Sequence, residues 1–149
     1  MKKILYLETP LKLKKDLFLQ KYTSSGPLLK RITPSNPIQI GDLVKVRVEL
    51  RVDRTMEYVH MKDMRASALE PTSVFSRYRY QDGLGYYQST KDASTDFFFS
   101  WLPKGTYVFE YSLRASQKGD FSNGITTIQS MYAPEFTSHS KGIRIQVKN

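Results

Sequence analysis

Apolar and polar residues alternate along much of this chain with a period of two. The clearest run is LVKVRVELRV, residues 43–52, in which every second residue from Val44 to Val52 is apolar and the residues between them are charged. Because successive side chains of a strand point to opposite faces, this pattern predicts a strand that buries one face and exposes the other.

Other segments carry the same alternation and are rich in β-branched and aromatic residues, which favour strands. They are LKLKKDLFLQKY (11–22), EYVHMKD (57–63), TYVFEYSLRA (106–115), GITTIQSMYA (124–133) and GIRIQVK (142–148). In EYVHMKD the apolar face holds Val59 and Met61, opposite Tyr58 and His60. Each segment is expected to form one half-buried strand.

Turn-forming sequences separate these segments. They include SSGP (24–27), TPSNP (33–37), QDGLG (81–85), LPKG (102–105) and QKGD (117–120). Strands joined by short turns, without helical crossovers, predict an all-β fold, an immunoglobulin-like antiparallel β-sandwich. We expect one domain over residues 10–149, preceded by an N-terminal segment or linker over residues 1–9. Residues 66–97 are less regular and predict a long connection with at most one short strand or helix.

The stretch LPKGTY places Tyr107 just after a turn at the start of a strand. In immunoglobulin-like sandwiches a tyrosine at such a place bonds its hydroxyl to nearby backbone, an arrangement called the tyrosine corner. The alternative is a tyrosine that only fills the core. Both interpretations make Tyr107 a structural residue, and the first is favoured.

Composition narrows the function. The 149 residues include no cysteine, which excludes disulfides, thiol nucleophiles and cysteine-based zinc sites. The N-terminal MKKILYLETP lacks the apolar stretch of a secretory signal, and no segment is long and apolar enough to cross a bilayer. We therefore expect no direct membrane insertion.

The net charge of +9 could attract nucleic acid or another polyanion. Most lysines and arginines, among them Lys12, Lys15 and Arg47, lie in the alternating segments, as is typical of the solvated face of a sheet. The sequence therefore predicts that nucleic acid is not the partner.

Candidate chemistry is sparse. Glu135 and His139 have the spacing of two metal ligands on a helix, but Pro134 precedes them, and the second histidine, His60, belongs to another segment. A serine nucleophile lacks its G-x-S-x-G context, and Asp82 does not start a calcium loop. We expect no catalytic residue, no metal and no cofactor.

Aromatic residues are frequent between positions 78 and 101. If exposed, Tyr86, Tyr87 and Trp101 would suit sugar stacking, and with Arg77 and Arg79 such rings would suit single-stranded nucleic acid. Because aromatic side chains bury large areas, packing in the core or against another domain is the favoured interpretation. A carbohydrate-binding or other cell-envelope adhesion module is the alternative.

Three stretches, residues 40–74, 78–124 and 126–142, with the segment MYAPE at 131–135, resemble the C-terminal domain of bacterial alpha-2-macroglobulin-like proteins, in particular those of Bacteroidetes type. The resemblance implies an immunoglobulin-like last domain of a large inhibitor that changes shape after a protease cleaves its bait region. It further implies that this domain is not an enzyme, and that it packs against the thioester-type domain and its neighbour and stabilises the native conformation.

The same resemblance implies a site and a location. The MYAPE segment is expected at the domain contact, with Tyr132 as the leading residue beside Met131, Pro134 and Glu135. The chain has no Cys-Gly-x-Gln thioester motif and no bait region, so target proteases are expected to be reached only through the whole inhibitor. The implied location is the cell envelope, either periplasmic or attached to the outer membrane through the larger protein.

Overall fold

The alternating segments form strands in the computed structural model, which describes residues 10–73, 76–81 and 83–149. The predicted linker, residues 1–9, and Asp82 lie outside the described residues. The strands are β1 (Leu11–Thr23), β2 (Gly26–Arg31), β3 (Ile38–Gln39), β4 (Leu43–Val52), β5 (Met56–Met64), β6 (Leu69–Pro71), β7 (Ser76–Gln81), β8 (Leu84–Thr90), β9 (Ser94–Leu102), β10 (Gly105–Ala115), β11 (Gly119–Ser122), β12 (Thr126–Ser130), β13 (Thr137–His139) and β14 (Arg144–Lys148).

These strands form two large sheets and one small one. The first has the order β2-β1-β4-β10-β6, the second β13-β12-β5-β9-β8-β7, and the small sheet β11-β14-β3. Every pairing in the two large sheets is antiparallel, and β14 pairs with β3 in parallel. The predicted all-β antiparallel fold is confirmed.

The core lies between the two large sheets. The apolar face of β4, from Val44 to Val52, is buried as predicted. Phe109 of β10 packs against rings of the opposite sheet, with centroids 5.2 Å from Tyr86, 5.2 Å from Phe97 and 5.7 Å from Phe99. Side chains that interdigitate in this way define a β-sandwich.

The prediction for residues 66–97 was wrong. This segment contains β6, β7, β8 and the start of β9, and its described residues include no helix. The reason lies in β7, an edge strand in which arginine and tyrosine alternate and Tyr78 and Tyr80 are exposed. An edge strand without an apolar face lacks the hydrophobic alternation by which strands are recognised.

The assignment of Lys15 to the solvated face was also wrong. Its side chain points inward from β1 and pairs with Asp63 of β5, with Nζ 2.6 Å from Oδ1 and both side chains fully buried. Lys15 also donates to the carbonyl oxygen of Met64 at 2.9 Å. Burial lowers the pKa of Lys15, and the nearby Asp63 carboxylate opposes that change.

Two hydroxyl groups complete the surroundings of Asp63. Thr126 of β12 donates to Oδ1 at 2.6 Å, and Tyr111 of β10 donates to Oδ2. Burial, followed by the charge of Asp63, raises the pKa of Tyr111 well above its ordinary value, so that its hydroxyl remains a donor. The cluster joins β1 and β10 of one sheet to β5 and β12 of the other.

Candidate domain interface

The predicted site lies on the loop between β12 and β13. The loop is closed by backbone hydrogen bonds, from Ser130 N to Phe136 O at 3.0 Å and from Phe136 N to Ala133 O at 2.8 Å. The Gln129 side chain adds a bond to the carbonyl oxygen of Pro134 at 3.2 Å. Phe136 packs against the core, so the loop is anchored while its tip projects from the domain.

The four predicted residues lie together on this tip. Tyr132 is 79% exposed and Met131 56% exposed, and Pro134 and Glu135 are exposed as well. Large apolar side chains held outside a core are typical of interaction surfaces. Their contact with another domain stays a prediction.

Tyr58 of β5 supports the loop, a role that the sequence did not reveal. Its carbonyl oxygen accepts the Met131 N–H at 2.8 Å, and its ring meets the Tyr132 ring edge to face, with centroids 5.1 Å apart. The backbone of Tyr58 has a φ of 53°, in the left-handed region that bulky residues rarely adopt. The alternation of apolar and polar residues predicted that Tyr58 lies on the outer face, but an alternating pattern does not indicate a left-handed backbone.

Two further side chains extend the exposed area. Trp101 of β9 is 56% exposed and lies opposite Glu57, the residue before Tyr58. We use the name aromatic end for the group formed by Tyr58, Trp101, Met131 and Tyr132. On the flank of the loop, the guanidinium of Arg54 lies 5.7 Å from the centroid of the Phe136 ring, within the range of a cation–π contact.

The two histidines occupy separate places. His139 lies in β13 with Nδ1 3.0 Å from the carbonyl oxygen of Ser140. His60 lies in β5, where its ring stacks on Phe98 and Nε2 is 3.0 Å from Asp96 Oδ2. Among the residues that the structure describes, no three histidine or acidic side chains are grouped as a metal would require.

The structure does not bring together the three residues proposed for sugar stacking. Tyr86 is buried between the sheets and only 5% exposed. Tyr87 points to the outer face and packs against Tyr78, with ring centroids 5.1 Å apart. Trp101 belongs to the aromatic end, so a common stacking platform of these three rings is not formed.

Tyr107 is buried at the beginning of β10. Its hydroxyl donates to the carbonyl oxygen of Pro103 at 2.8 Å and so ties the strand to the turn before it. A side chain at Gly105 would begin 3.3 Å from that hydroxyl, which leaves little room for any other residue. Burial raises the pKa of Tyr107.

Cations on the outer face of the first sheet are interleaved with acids. Glu110 of β10 pairs with both Arg47 and Lys45 of β4, and the Lys45 Nζ lies 3.9 Å from its Oε1. Lys14 lies opposite Glu49 in the β1–β4 register. Mixed charges of this kind are those of an ordinary solvated sheet face, and the exclusion of nucleic acid stays a prediction.

No helix in the described part of the chain is long and apolar enough to span a membrane.

A family model and solved structures of two macroglobulins indicate the same group. The family described as "Bacterial Alpha-2-macroglobulin MG10 domain" matches residues 11–135. The Salmonella alpha-2-macroglobulin mutant Y1175G is similar over 95% of this chain and 9% of its own, with a TM-score of 0.72 and 16% identity. Native Escherichia coli alpha-2-macroglobulin from domain MG7 to the C-terminus is similar over 94% of this chain and 24% of its own, with a TM-score of 0.69 and 14% identity.

Two further matches are to proteins that are not named as macroglobulins. A non-cellulosomal cohesin from Archaeoglobus fulgidus has a TM-score of 0.53 and 7% identity, over 93% of this chain and 92% of its own, which reflects the fold alone. Circularly permutated Ras protein 2 of Dictyostelium discoideum is 25% identical over 108 residues, which are 72% of this chain and 3% of that protein. The chain thus spans only a small part of the curated relative and of the macroglobulins.

Proposed function

Because the chain belongs to the bacterial alpha-2-macroglobulin MG10 domain family, we propose that it is a non-catalytic packing domain of a protease inhibitor. Its partners are sibling domains of a longer chain, the thioester-type domain and its neighbour. By packing against them it stabilises the native conformation of the inhibitor. The Bacteroidetes-type assignment stays a prediction.

The observation that carries this proposal is the exposed tip of the 131–136 loop. Tyr132 and Met131 are both more than half exposed, although the backbone around them is held by hydrogen bonds and by the buried side of Phe136. A rigid loop that presents large apolar groups loses little entropy when it docks, and it removes apolar area from water. Such a loop suits permanent contact with another domain.

Two further parts of the proposal concern the whole inhibitor. Target proteases are engaged only by the complete protein, since this chain has neither a bait region nor a thioester motif. The location we propose is the cell envelope, periplasmic or held at the outer membrane. Both statements depend on the family and on the size of the macroglobulins to which the chain is similar.

The proposal is tested in a longer chain that joins this domain to a thioester domain. Tyr132→Ala is expected to loosen the domain contact, seen as faster amide exchange across the contact and faster reaction of the thioester with methylamine. Tyr80→Ala is the matched control, because Tyr80 is 84% exposed but lies on the edge strand β7. Equal exchange and equal amine reactivity in the two variants would contradict the proposal.

A further inference from the structure

Tyr58 has an unusual backbone for its place in the fold. Among the described non-glycine residues it alone has a positive φ, 53°, and it lies inside strand β5. A bulky residue held in this conformation is strained, and strain of this kind persists where surrounding structure requires it, often at functional sites.

The local effect is to place two consecutive side chains outside. Met56 and Val59 are buried, whereas Glu57 and Tyr58 between them are both exposed. A regular strand would send one of these two side chains into the core. The interruption therefore turns the Tyr58 ring toward solvent at the end of the sheet, next to the 131–136 loop.

Tyr58 then meets the loop in two ways. Its carbonyl oxygen accepts the N–H of Met131 at 2.8 Å, at the point where β12 has ended. Its ring contacts the ring of Tyr132, the centroids being 5.1 Å apart at an interplanar angle of 66°. One contact fixes the backbone of the loop tip, and the other restricts the direction of its most exposed ring.

We propose that Tyr58 is a positioning residue that pre-organises Met131 and Tyr132 for docking to a sibling domain. The inference rests on the proposed function for its biological meaning, and on the Tyr58 contacts for its physical content. Restricting the Tyr132 ring before docking lowers the entropy that binding must remove. The surface offered is apolar and aromatic, so it fits an apolar face of the sibling domain.

The first experiment uses this chain alone. In Tyr58→Ala the Tyr132 ring protons are expected to lose the ring-current shift that the neighbouring Tyr58 ring should cause, which NMR measures. The Met131 amide is expected to exchange faster. Tyr58→Phe keeps the ring and the backbone bond and should restore both signals. An unchanged Tyr132 shift together with unchanged Met131 exchange in Tyr58→Ala would overturn the proposal.

A third variant separates the backbone from the ring. Tyr58→Gly removes the ring but accepts a positive φ without strain. It should resist urea better than Tyr58→Ala and still lack the Tyr132 ring-current shift. If glycine kept that shift, the Tyr58 ring would have no role in orienting Tyr132, and the proposal would fail.

The same variants in the longer chain distinguish this inference from the proposed function. We expect Tyr58→Ala to raise methylamine reactivity less than Tyr132→Ala does, and Tyr58→Phe to match wild type. If the loop changes in the single chain while Tyr132→Ala has no effect in the longer one, the positioning role stands and the docking function is wrong. If Tyr132→Ala raises reactivity and Tyr58→Ala does not, docking stands and the positioning role is wrong.

Discussion

Two antiparallel ladders of this domain, β4–β10 and β5–β9, treat their apolar residues differently. In β4 the alternation continues without a break from Val44 to Val52, and pairing with β10 runs over the whole strand. In β5–β9 the alternation stops near one end, where Glu57 lies opposite Trp101 and where Glu57, Tyr58, Ser100 and Trp101 are all exposed. The apolar side chains of β4 from Val44 to Val52 lie in the core, whereas the rings of Tyr58 and Trp101 in the second ladder lie outside it.

We expect this difference to separate residues that stabilise the fold from residues that form the proposed domain contact. Buried residues of both ladders are expected to determine the free energy of unfolding, because they form the core. Residues of the aromatic end are expected to affect docking while leaving folding nearly unchanged. Substitutions on each side test that separation.

The largest effect is expected where the two sheets are joined by buried charge. Asp63→Ala would leave Lys15 without its counter-ion in the core and remove the acceptor of Tyr111 and Thr126. Breaking a buried pair in this way costs about 3–5 kcal/mol. Urea unfolding measures the loss.

The control for that substitution changes both partners. Lys15→Met combined with Asp63→Asn removes both charges and keeps an acceptor oxygen for one of the two hydroxyls, because Thr126 and Tyr111 donate to different oxygens of Asp63. The double variant should recover much of the lost stability, since a neutral pair leaves no charge buried alone. A single variant as stable as wild type would show that Lys15 and Asp63 do not form the buried pair.

A smaller effect is expected at the start of β10. Tyr107→Phe removes the hydroxyl that donates to Pro103 and leaves that carbonyl oxygen without this partner. The expected loss is about 1 kcal/mol in the free energy of unfolding. Tyr132→Phe is the matched control, because the Tyr132 side chain is exposed, and the prediction fails if the two variants lose the same amount.

A pH-dependent effect is expected from Asp96. Burial alone would raise the pKa of Asp96, but hydrogen bonds from Ser94 and His60 and the charge of Lys91 outweigh it and lower that pKa below 3.8. A carboxylate with a lowered folded pKa adds stability above its unfolded pKa, and this stability is lost as pH falls through the folded value. The loss should therefore occur below pH 3.8.

Asp96→Asn should remove that part of the acid dependence. Urea midpoints measured at neutral pH and at a series of acidic values compare the variant with wild type. We expect the stability of the variant to fall less steeply in the acid range. If the urea midpoints of the variant and of wild type fell equally with decreasing pH, Asp96 would not contribute to the acid sensitivity.

The smallest effect on folding is expected at the aromatic end. Tyr132→Ala should change the free energy of unfolding of this chain by no more than about 0.5 kcal/mol, because the side chain is 79% exposed. Urea unfolding checks this value. A loss comparable to that of Tyr107→Phe would mean that the loop belongs to the folding core, and the separation of the two regions would be lost.

Hydrophobic alternation was sufficient to predict much of the sandwich. The faces of β4, and the inward positions of Val59, Met61 and Phe109, follow from side chains that point alternately in and out. Strand β7 was not predicted because neither of its faces is aliphatic; arginine and tyrosine alternate along it. The strands with the clearest alternation are those that have one face in the core.

The remaining features depend on contacts between distant segments. Lys15 lies between Leu13 and Leu17 in the sequence, and this position in the alternation was the one sign that its side chain points inward. A charge is tolerated there because Asp63, 48 residues further along the chain, forms an ion pair with it. The left-handed residue Tyr58 likewise contacts a distant segment, since its carbonyl oxygen accepts the Met131 N–H. The MYAPE segment could be named from resemblance, but its support by Tyr58 required the three-dimensional arrangement.

The single tryptophan of this chain is Trp101, and it stands in the aromatic end. Its intrinsic emission therefore reports on that surface and on no other part of the domain. A dissolved quencher should reach the exposed Trp101 indole in the free chain. Its access should fall if another domain covers this surface as proposed. Trp101 can thus serve as an intrinsic optical probe of the proposed docking.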